Sequence, residues 1–318
     1  MKDPVDNIAC SVIICTHNRA SSLVRTLQAV LEQDFQASDM EVIVVDNAST
    51  DDTKETVQSI SQNALFPVKY LFEPTLGLSH ARNAGLRQAL GKIVVFTDDD
   101  ALPRTQWIRN LTKAYDDPEI KAAGGDTDPI WPKPEPPLWL HPSLIGYLGL
   151  TLYPRSSCRE LHYPSYPYGV NISFRRETAI KLGAFSTDLG RQGRYLLSGE
   201  ETDLCHRIEK AGGKIVYVPG AIVDHVIPQE RLTKSWFRAR AFCQGLSKAT
   251  LERSLASQVS MTWKIVKRLF ILSGSIVCFV FFSILRRQRL AFASECKLRM
   301  SYGYLLRAVA PFFPGTNP

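Results

Sequence analysis

Short apolar runs alternate with amphipathic segments over the first hundred residues. Four runs have the length and composition of strands: SVIICT (11–16), MEVIVVD (40–46), VKYLFE (68–73) and KIVVFT (92–97). Three segments between them carry helical patterns, at 21–33, 51–60 and 78–90, and Ser21 or Ser22 is the expected N-cap of the first. Strands that alternate with helices predict an α/β fold with a mostly parallel sheet.

Polar residues stand where three of these strands end. Thr16, Asp46 and Asp98 each close an apolar run. Ligands bind beyond the carboxyl ends of the strands in parallel sheets, so these side chains are expected at one rim. Asp98 also opens a run of three acids, Asp98–Asp100, and two carboxylates at i, i+2 can converge on one Mg²⁺ or Mn²⁺ shared with substrate phosphates. A solvated acidic turn is the alternative reading of this run.

The middle of the chain has a different composition. Residues 126–142 and 153–169 are rich in proline and aromatic residues, which predicts long loops. We expect these loops to face substrate, with a plain connector as the alternative. Trp131, Trp139, Tyr153 and Tyr168 are candidates for stacking on sugar rings, and packing within the loops is the competing role for each. Residues 199–226 then predict a helix followed by a strand.

Charge divides the chain at about residue 227. Residues 1–227 carry a net charge of −5, whereas residues 228–318 hold 15 Lys and Arg against 3 acids, a net charge of +12. The basic part contains 17 uncharged residues, 269–285, with basic residues on both sides, and an amphipathic link at 232–255 precedes them. Because the basic residues surround an apolar block, membrane is a better partner than nucleic acid.

Three arrangements of the apolar segment remain open. It is a short span, or an in-plane or re-entrant hairpin, which the symmetric basic flanks favour, or a helix buried in an oligomer interface. Residues 290–313 suit an interfacial helix. The seven cysteines form no CxxC pair and no signal peptide is visible, so reduced thiols and a cytosolic catalytic body are expected.

Five segments together resemble the GT-A-type glycosyltransferases of family 2. They are VIICTHNRASSLVRTLQAVLEQ, EVIVVDNASTDDT, GLSHARNAGLRQALGKIVVFTDDDALP, YGVNISFRRETAIKLGAF and GEETDLCHRIEKAGGKIVYVPGAIVDHV, within residues 8–226. The resemblance implies a GT-A catalytic domain over 1–227, with a donor half at about 8–125 and an acceptor half at about 126–227. Residues 228–318 then form a helical, membrane-associating region.

The resemblance also implies roles for individual residues. Thr16, Asn18 and Arg19 look like the loop that faces base and ribose, Asp46 looks like the acid that contacts the base, and Asn47 beside it is a further donor-binding candidate. Arg82 and Asn83 look like helix residues near the ribose and diphosphate. Asp98, Asp99 and Asp100 look like the family's DxD motif, with Asp98 on ribose or metal, Asp99 at the variable middle position and Asp100 as main ligand of Mn²⁺ or Mg²⁺. His225 looks like a further metal or phosphate ligand, with a purely structural histidine as the alternative.

The catalytic base is expected in GEETDL. The family usually has Glu-Asp where this chain has Glu200 and Glu201, so Glu201 is the favoured base and Glu200 the second candidate. The resemblance implies an inverting transfer of sugar from a nucleotide-diphospho-sugar to a hydroxyl acceptor, in surface polysaccharide or glycolipid assembly. A non-catalytic nucleotide-sugar-binding protein and a nucleotidyltransferase are the alternatives. The expected location is the cytoplasmic face of a membrane.

Overall fold

The computed structural model describes residues 8–132, 136–151, 153–193, 195–255 and 258–310, without the side chains of residues 258 and 259. Contacts divide the chain into two compact units. The first unit comprises residues 1–132, 149–187 and 200–227, and the second comprises 133–148, 188–199 and 228–318. The predicted donor and acceptor halves within residues 1–227 stay predictions.

One half of the sheet in the first unit is fully parallel. Its strands lie in the order β3–β2–β1–β4, with bounds β1 (Cys10–Thr16), β2 (Met40–Asp46), β3 (Val68–Phe72) and β4 (Ile93–Asp98). Side chains on both faces of β1 are buried, Val12 in one core cluster and Ile13 in another. A strand covered on both faces must be apolar throughout, which is why β1, β2 and β4 appear as continuous apolar runs, whereas the edge strand β3 is only partly buried.

Helices connect the parallel strands, as the pattern predicts. They are α1 (Ala20–Leu31), α2 (Thr53–Ser61) and α3 (Leu78–Gln88). The predicted cap of α1 is wrong, because the N-cap residue is Arg19, whose side chain makes no capping bond, and the Ala20 amide donates to Asp51 instead. Ser22 lies inside the first turn, and its hydroxyl donates instead to the carbonyl of Asp99 at 2.9 Å. This bond ties the start of α1 to the acidic run.

The second half of the sheet is mixed. Strand β8 (Asn171–Arg175) is antiparallel to both β4 and β6 (Ile120–Ile130), and β9 (Lys214–Val226) is parallel to β6. The short strands β5 (Ala101–Pro103) and β7 (Arg159–Glu160) pair antiparallel with β9. The helices of this half are α4 (Trp107–Lys113), α5 (Arg176–Lys181) and α6 (Glu200–Lys210).

The predicted loop at 126–142 begins too early. Residues 126–130 continue β6, because they pair with the end of β9. Within the first unit, the Tyr153 ring stacks edge-on against Tyr217, while Tyr168 packs partly buried on the core and Trp131 is partly exposed. Within the second unit, Trp139 packs edge-on against Phe237 and Phe292. A sugar-stacking role for any of the four stays a prediction.

The second unit is built on α7 (Lys234–Leu255), α8 (Gln258–Ile284) and α9 (Gln288–Val309). Helices α7 and α9 run parallel, since Arg238 near the start of α7 pairs with Glu295, and Arg253 near its end donates to the carbonyl of Arg307. Their backbones touch, because a Cβ on Gly245 would lie 2.0 Å from the Met300 carbonyl oxygen. Residues 311–313 of the predicted interfacial helix lie outside the described residues.

Helix α8 is the apolar segment of the sequence. Within the described residues, Ser260–Ile284 is long and apolar enough to cross a membrane, with a mean hydropathy of 2.1 over its most apolar window. Only 11% of that window is buried within the protein. The segment is one unbroken helix up to Ile284, so the predicted re-entrant hairpin within residues 269–284 is wrong.

Candidate active site

Strand register brings the predicted strand-end residues to one rim of the first unit. Thr16 stands opposite Asp46 on β2, and Cys15 stands opposite Asp98 on β4. Asp46 and Thr16 are both buried. The parallel order β2–β1–β4 therefore places the ends of three strands side by side, beyond which ligands of α/β sheets bind.

The acidic run meets His225 because of a short antiparallel pairing. Ala101 on β5 stands opposite His225 on β9, which brings the His225 Nε2 atom within 3.0 Å of Asp100 Oδ1. One ligand atom from each of Asp98, Asp100 and His225 lies within 4.8 Å of the others. Asp100 and His225 are buried, and Asp98 is partly open to solvent. The middle acid, Asp99, bonds to Thr16 and Arg19.

Arginine neutralises the acids that face inward. Arg19 Nη1 lies 2.5 Å from Asp99 and 2.9 Å from Asp100, and Thr16 Oγ1 donates to Asp99 at 2.8 Å. Burial, with the Asp100 charge in a smaller role, raises the pKa of Asp99 to about 6 although Arg19 acts in the opposite direction. No local pattern predicts that Arg19 pairs with these acids, because the two segments are about eighty residues apart in the chain.

Arg82 joins the acidic run to helix α6. Its Nη1 donates to Glu200 Oε1 at 2.6 Å, and its Nη2 lies 3.5 Å from Asp98 Oδ1. Burial alone would lower the pKa of Arg82, but the Glu200 and Asp98 charges outweigh burial and raise it. The guanidinium fills the space beside Gly169, where a Cβ would lie 2.4 Å from Nη2. A buried arginine with two acidic partners is held in one position.

The predicted base residues begin helix α6. Glu200 is paired with Arg82 through its Oε1 atom, and among the described residues no group donates a hydrogen bond to the enclosed Oε2 atom of either Glu200 or Glu201. Burial, and then the Glu200 charge, raises the pKa of Glu201 from 4.5 to about 8. Asp203 bonds instead to Arg207, one turn along the helix. Glu201 is thus the acid of this group whose proton affinity is tuned toward neutral pH.

The remaining predicted donor residues bond mainly to the chain itself. Asp46 accepts from the Tyr70 hydroxyl at 2.7 Å and the Ser49 amide at 2.8 Å. Asn47 binds the backbone at Glu73, Thr75 and Gly77, and thereby shapes the loop before α3. Asn18, exposed and at positive φ, accepts from the Thr50 amide. Asp46, Asn47 and Asn18 therefore hold the loops around the rim in place.

Asn83 follows Arg82 on α3, but its side chain bonds to residue 185 and not to the acids of the rim. Both ends of its amide bond to the backbone of Phe185, at 2.8 and 2.9 Å. These two bonds use one of the two N–H groups and one of the two oxygen lone pairs of the amide. Its predicted donor role stays a prediction, and the described contacts give Asn83 a structural task.

The fold matches a known class of enzyme. Mannosyltransferase PcManGT from Pyrobaculum calidifontis, solved with GDP-Man and Mn²⁺, superposes with a TM-score of 0.62 at 19% identity, covering 96% of this chain and 88% of that one. The fold is therefore that of the GT-A glycosyltransferases, as predicted.

Two sequence relatives and one family profile define the chain further. It is 29% identical over 246 residues to the glucosyl-dolichyl phosphate glucuronosyltransferase of Haloferax volcanii, covering 76% of this chain and 77% of the relative. It is 26% identical over 296 residues to the succinoglycan biosynthesis protein ExoM of Rhizobium meliloti, covering 91% and 90%. Residues 11–180 match the profile of glycosyl transferase family 2. The chain belongs to this family and is a glycosyltransferase that uses a nucleotide-sugar donor.

Proposed function

We propose that the protein is an inverting, metal-dependent glycosyltransferase that moves a sugar from a nucleotide-diphospho-sugar to a hydroxyl acceptor in surface polysaccharide or glycolipid assembly. The observation that carries this proposal is the cluster of Asp98, Asp100 and His225, from which Arg82 leads to α6 by facing both Asp98 and Glu200. This arrangement joins a candidate metal site to a candidate base within one unit of the structure.

Asp98, Asp100 and His225, here called the triad, suit a hard divalent cation. Two carboxylates and one imidazole are the ligands that Mn²⁺ accepts readily, and Mg²⁺ takes the carboxylates with substrate phosphates. Asp98, Asp100 and His225 would hold the ion, which when bound supplies positive charge for the leaving diphosphate. Arg19 adds a second positive charge next to the same acids and is partly exposed, so it is available to a phosphate group.

Glu201 acts as the general base. Its carboxylate takes the proton of the acceptor hydroxyl while the acceptor oxygen forms a bond to the anomeric carbon. The bond from that carbon to the diphosphate oxygen breaks at the same time, and the nucleoside diphosphate leaves with the electron pair. A single displacement from the opposite face inverts the anomeric configuration. Glu200, held by Arg82, positions the first turn of α6 and is the second candidate for the base.

A lipid-linked acceptor fits the relatives and the tail. One relative is named for action on glucosyl-dolichyl phosphate and the other for succinoglycan biosynthesis. The net charge of +12 over residues 228–318, with the apolar helix α8, suits attachment to an anionic membrane surface. Nucleotide-sugars are made in the cytosol, so we place the catalytic unit on the cytoplasmic face.

A donor panel tests the proposal. Thermal shifts are measured with uridine, guanosine and thymidine diphosphate sugars, each with Mn²⁺, Mg²⁺ or chelator, and the stabilising donor is then used in a transfer assay with a lipid extract. We expect stabilisation and transfer with one donor and metal only. Asp100→Asn should lose both, whereas Asp224→Asn, which alters the neighbour of His225 on the opposite face of β9, should keep both.

Two results would contradict the proposal. Equal responses of wild type and Asp100→Asn to donor plus metal would remove the metal assignment. Donor binding without release of nucleotide in any extract would favour the non-catalytic binding protein.

A further inference from the structure

One face of helix α8 presents large apolar side chains to solvent along its whole length. Trp263, Phe270, Val277 and Ile284 stand seven residues apart, and each is 67–75% exposed. Residues at this spacing lie on one side of a helix, so the four form a continuous strip about 30 Å long. An exposed apolar strip of this size is typical of an interaction surface. We call it the outer strip.

The opposite face of α8 packs within the second unit. Arg268 and Ser275 are each only 6% exposed, and the Arg268 guanidinium lies 4.5 Å from the centre of the Tyr304 ring on α9. The chain turns between α8 and α9 at residues 285–287. Arg268 and Tyr304 each lie 16 residues from the adjoining helix end, so α8 and α9 stay in contact over about 24 Å.

Helix α9 is charged along this contact. Glu295 pairs with both Arg299 and Arg238 of α7, and Lys297 lies on the same stretch. These residues lie 7 to 11 positions after the start of α9, which is 10–17 Å from the turn. If α8 crossed a bilayer while packed on α9, this charged stretch would enter the centre of the hydrocarbon, where charged side chains are strongly disfavoured.

Basic residues flank the outer strip at both ends. Lys267 is exposed near its start, and Arg286, Arg287 and Arg289 are exposed just after its end. A spanning helix would place these two groups on opposite sides of the membrane. A helix in the plane of the surface brings both to the phosphates of one leaflet, where each basic residue is favourable.

We propose that α8 lies in the plane of an anionic bilayer surface, with the outer strip in the boundary between headgroups and acyl chains and α7 and α9 on its aqueous side. This deepens the proposed membrane attachment and rests on it. The attachment is monotopic, and both ends of α8 remain on the cytoplasmic side. The partner is the lipid surface itself, recognised by apolar contact and by its negative charge.

The depth of α8 in vesicles tests the arrangement. Cys158 and Cys278, the exposed thiols, are changed to Ser, and single nitroxide labels are attached through Trp263→Cys, Phe270→Cys, Val277→Cys and Ile284→Cys in the full chain. Power saturation with oxygen and a nickel complex then gives each depth in vesicles of phosphatidylglycerol and phosphatidylcholine. We expect four equal, shallow depths, roughly 5–10 Å below the headgroups. A label at the inward-facing Ser275→Cys is the matched control and should stay out of the acyl region.

Other outcomes overturn the proposal. A depth profile that is deepest at residues 270 and 277 and shallow at both ends means a spanning helix. No lipid contact, together with a stable dimer whose labels lie close together, means an interface between copies of this chain. We also expect binding to fall about tenfold or more in neutral vesicles, and unchanged binding would remove the electrostatic part.

These failures are distinct from failure of the transferase proposal. The labelled variants leave every residue of the first unit except Cys158 unchanged, and donor stabilisation is measured on them in solution without vesicles. A protein that binds donor and metal but lies differently in lipid would refute only the in-plane arrangement.

Discussion

Replacing the proposed base should make the enzyme more stable and nearly inactive. In Glu201→Gln, an enclosed carboxylate becomes a neutral amide of the same shape. The folded state of the wild type holds the Glu201 proton up to a pKa of about 8, whereas the unfolded chain releases it near 4.5. Between these values the folded protein binds more protons than the unfolded one, so its stability falls as pH rises.

The size of the effect follows from the pKa difference. At pH 8 the raised pKa of Glu201 lowers the free energy of unfolding by an amount on the order of 4 kcal/mol, and at pH 5 by less than about 1 kcal/mol. Glu201→Gln removes this penalty, so its advantage in unfolding free energy should grow across that pH range. Loss of a general base should lower kcat by about 10²- to 10⁴-fold.

Two measurements follow these effects. Denaturant unfolding at pH 5, 6.5 and 8 gives the stability difference, and initial rates of sugar transfer give kcat/KM against pH. In the wild type, kcat/KM should rise about tenfold between pH 6 and 7 and level off above pH 8, because Glu201 must be ionised to accept a proton. Glu201→Gln should lack this limb.

Glu200→Gln is the matched control. It weakens a buried ion pair with Arg82, so it should destabilise the protein by as much as about 3 kcal/mol. It also removes a charge that raises the pKa of Glu201, so the pH limb should move to lower pH and persist. If Glu200→Gln abolished the limb while Glu201→Gln kept it, Glu200 would be the base. If neither variant lost activity, α6 would not supply the base.

Three further predictions concern other parts of the chain. Asp100→Asn should weaken Mn²⁺ binding by about tenfold or more, measured by calorimetry with the donor nucleotide present, because it removes a carboxylate of the triad; equal affinity would exclude Asp100 as a ligand. Arg19→Gln should bind Mn²⁺ more tightly without donor, since it removes a cation that competes for Asp100, but should bind donor less tightly; parallel changes in both affinities would contradict this. Gly245→Ala should lower the stability of the second unit by about 1–3 kcal/mol in chemical unfolding, because its Cβ would meet the Met300 carbonyl, and an unchanged midpoint would mean that α7 and α9 separate at no cost.

Three strands of the parallel half, β1, β2 and β4, could be predicted because each is buried on both faces. The runs at 11–16, 40–46 and 92–97 differ from the observed β1, β2 and β4 by a residue or less at each end. The strand-end rule then brought Thr16, Asp46 and Asp98 to one rim. Strand burial and strand-end position are local properties, because each depends only on consecutive residues.

Properties that depend on distant pairing were not predictable. Ser22 looked like a helix cap, but its hydroxyl found the Asp99 carbonyl, which no local pattern signals. The end of β6 was predicted as a loop because it is proline-rich and its partner on β9 lies nearly a hundred residues later in the chain. Pairing of Arg82 with Glu200, across 118 residues, likewise fixes the acids of α6 in a way that composition does not show.

The pairing of Arg19 and Arg82 with the acidic rim has a consequence for how the protein is made. Three adjacent aspartates repel one another, and Arg19 and Arg82 of the same chain offset part of that repulsion. Part of the repulsion among these acids is therefore relieved within the chain itself, so a newly synthesised copy can form the rim with less help from a cation.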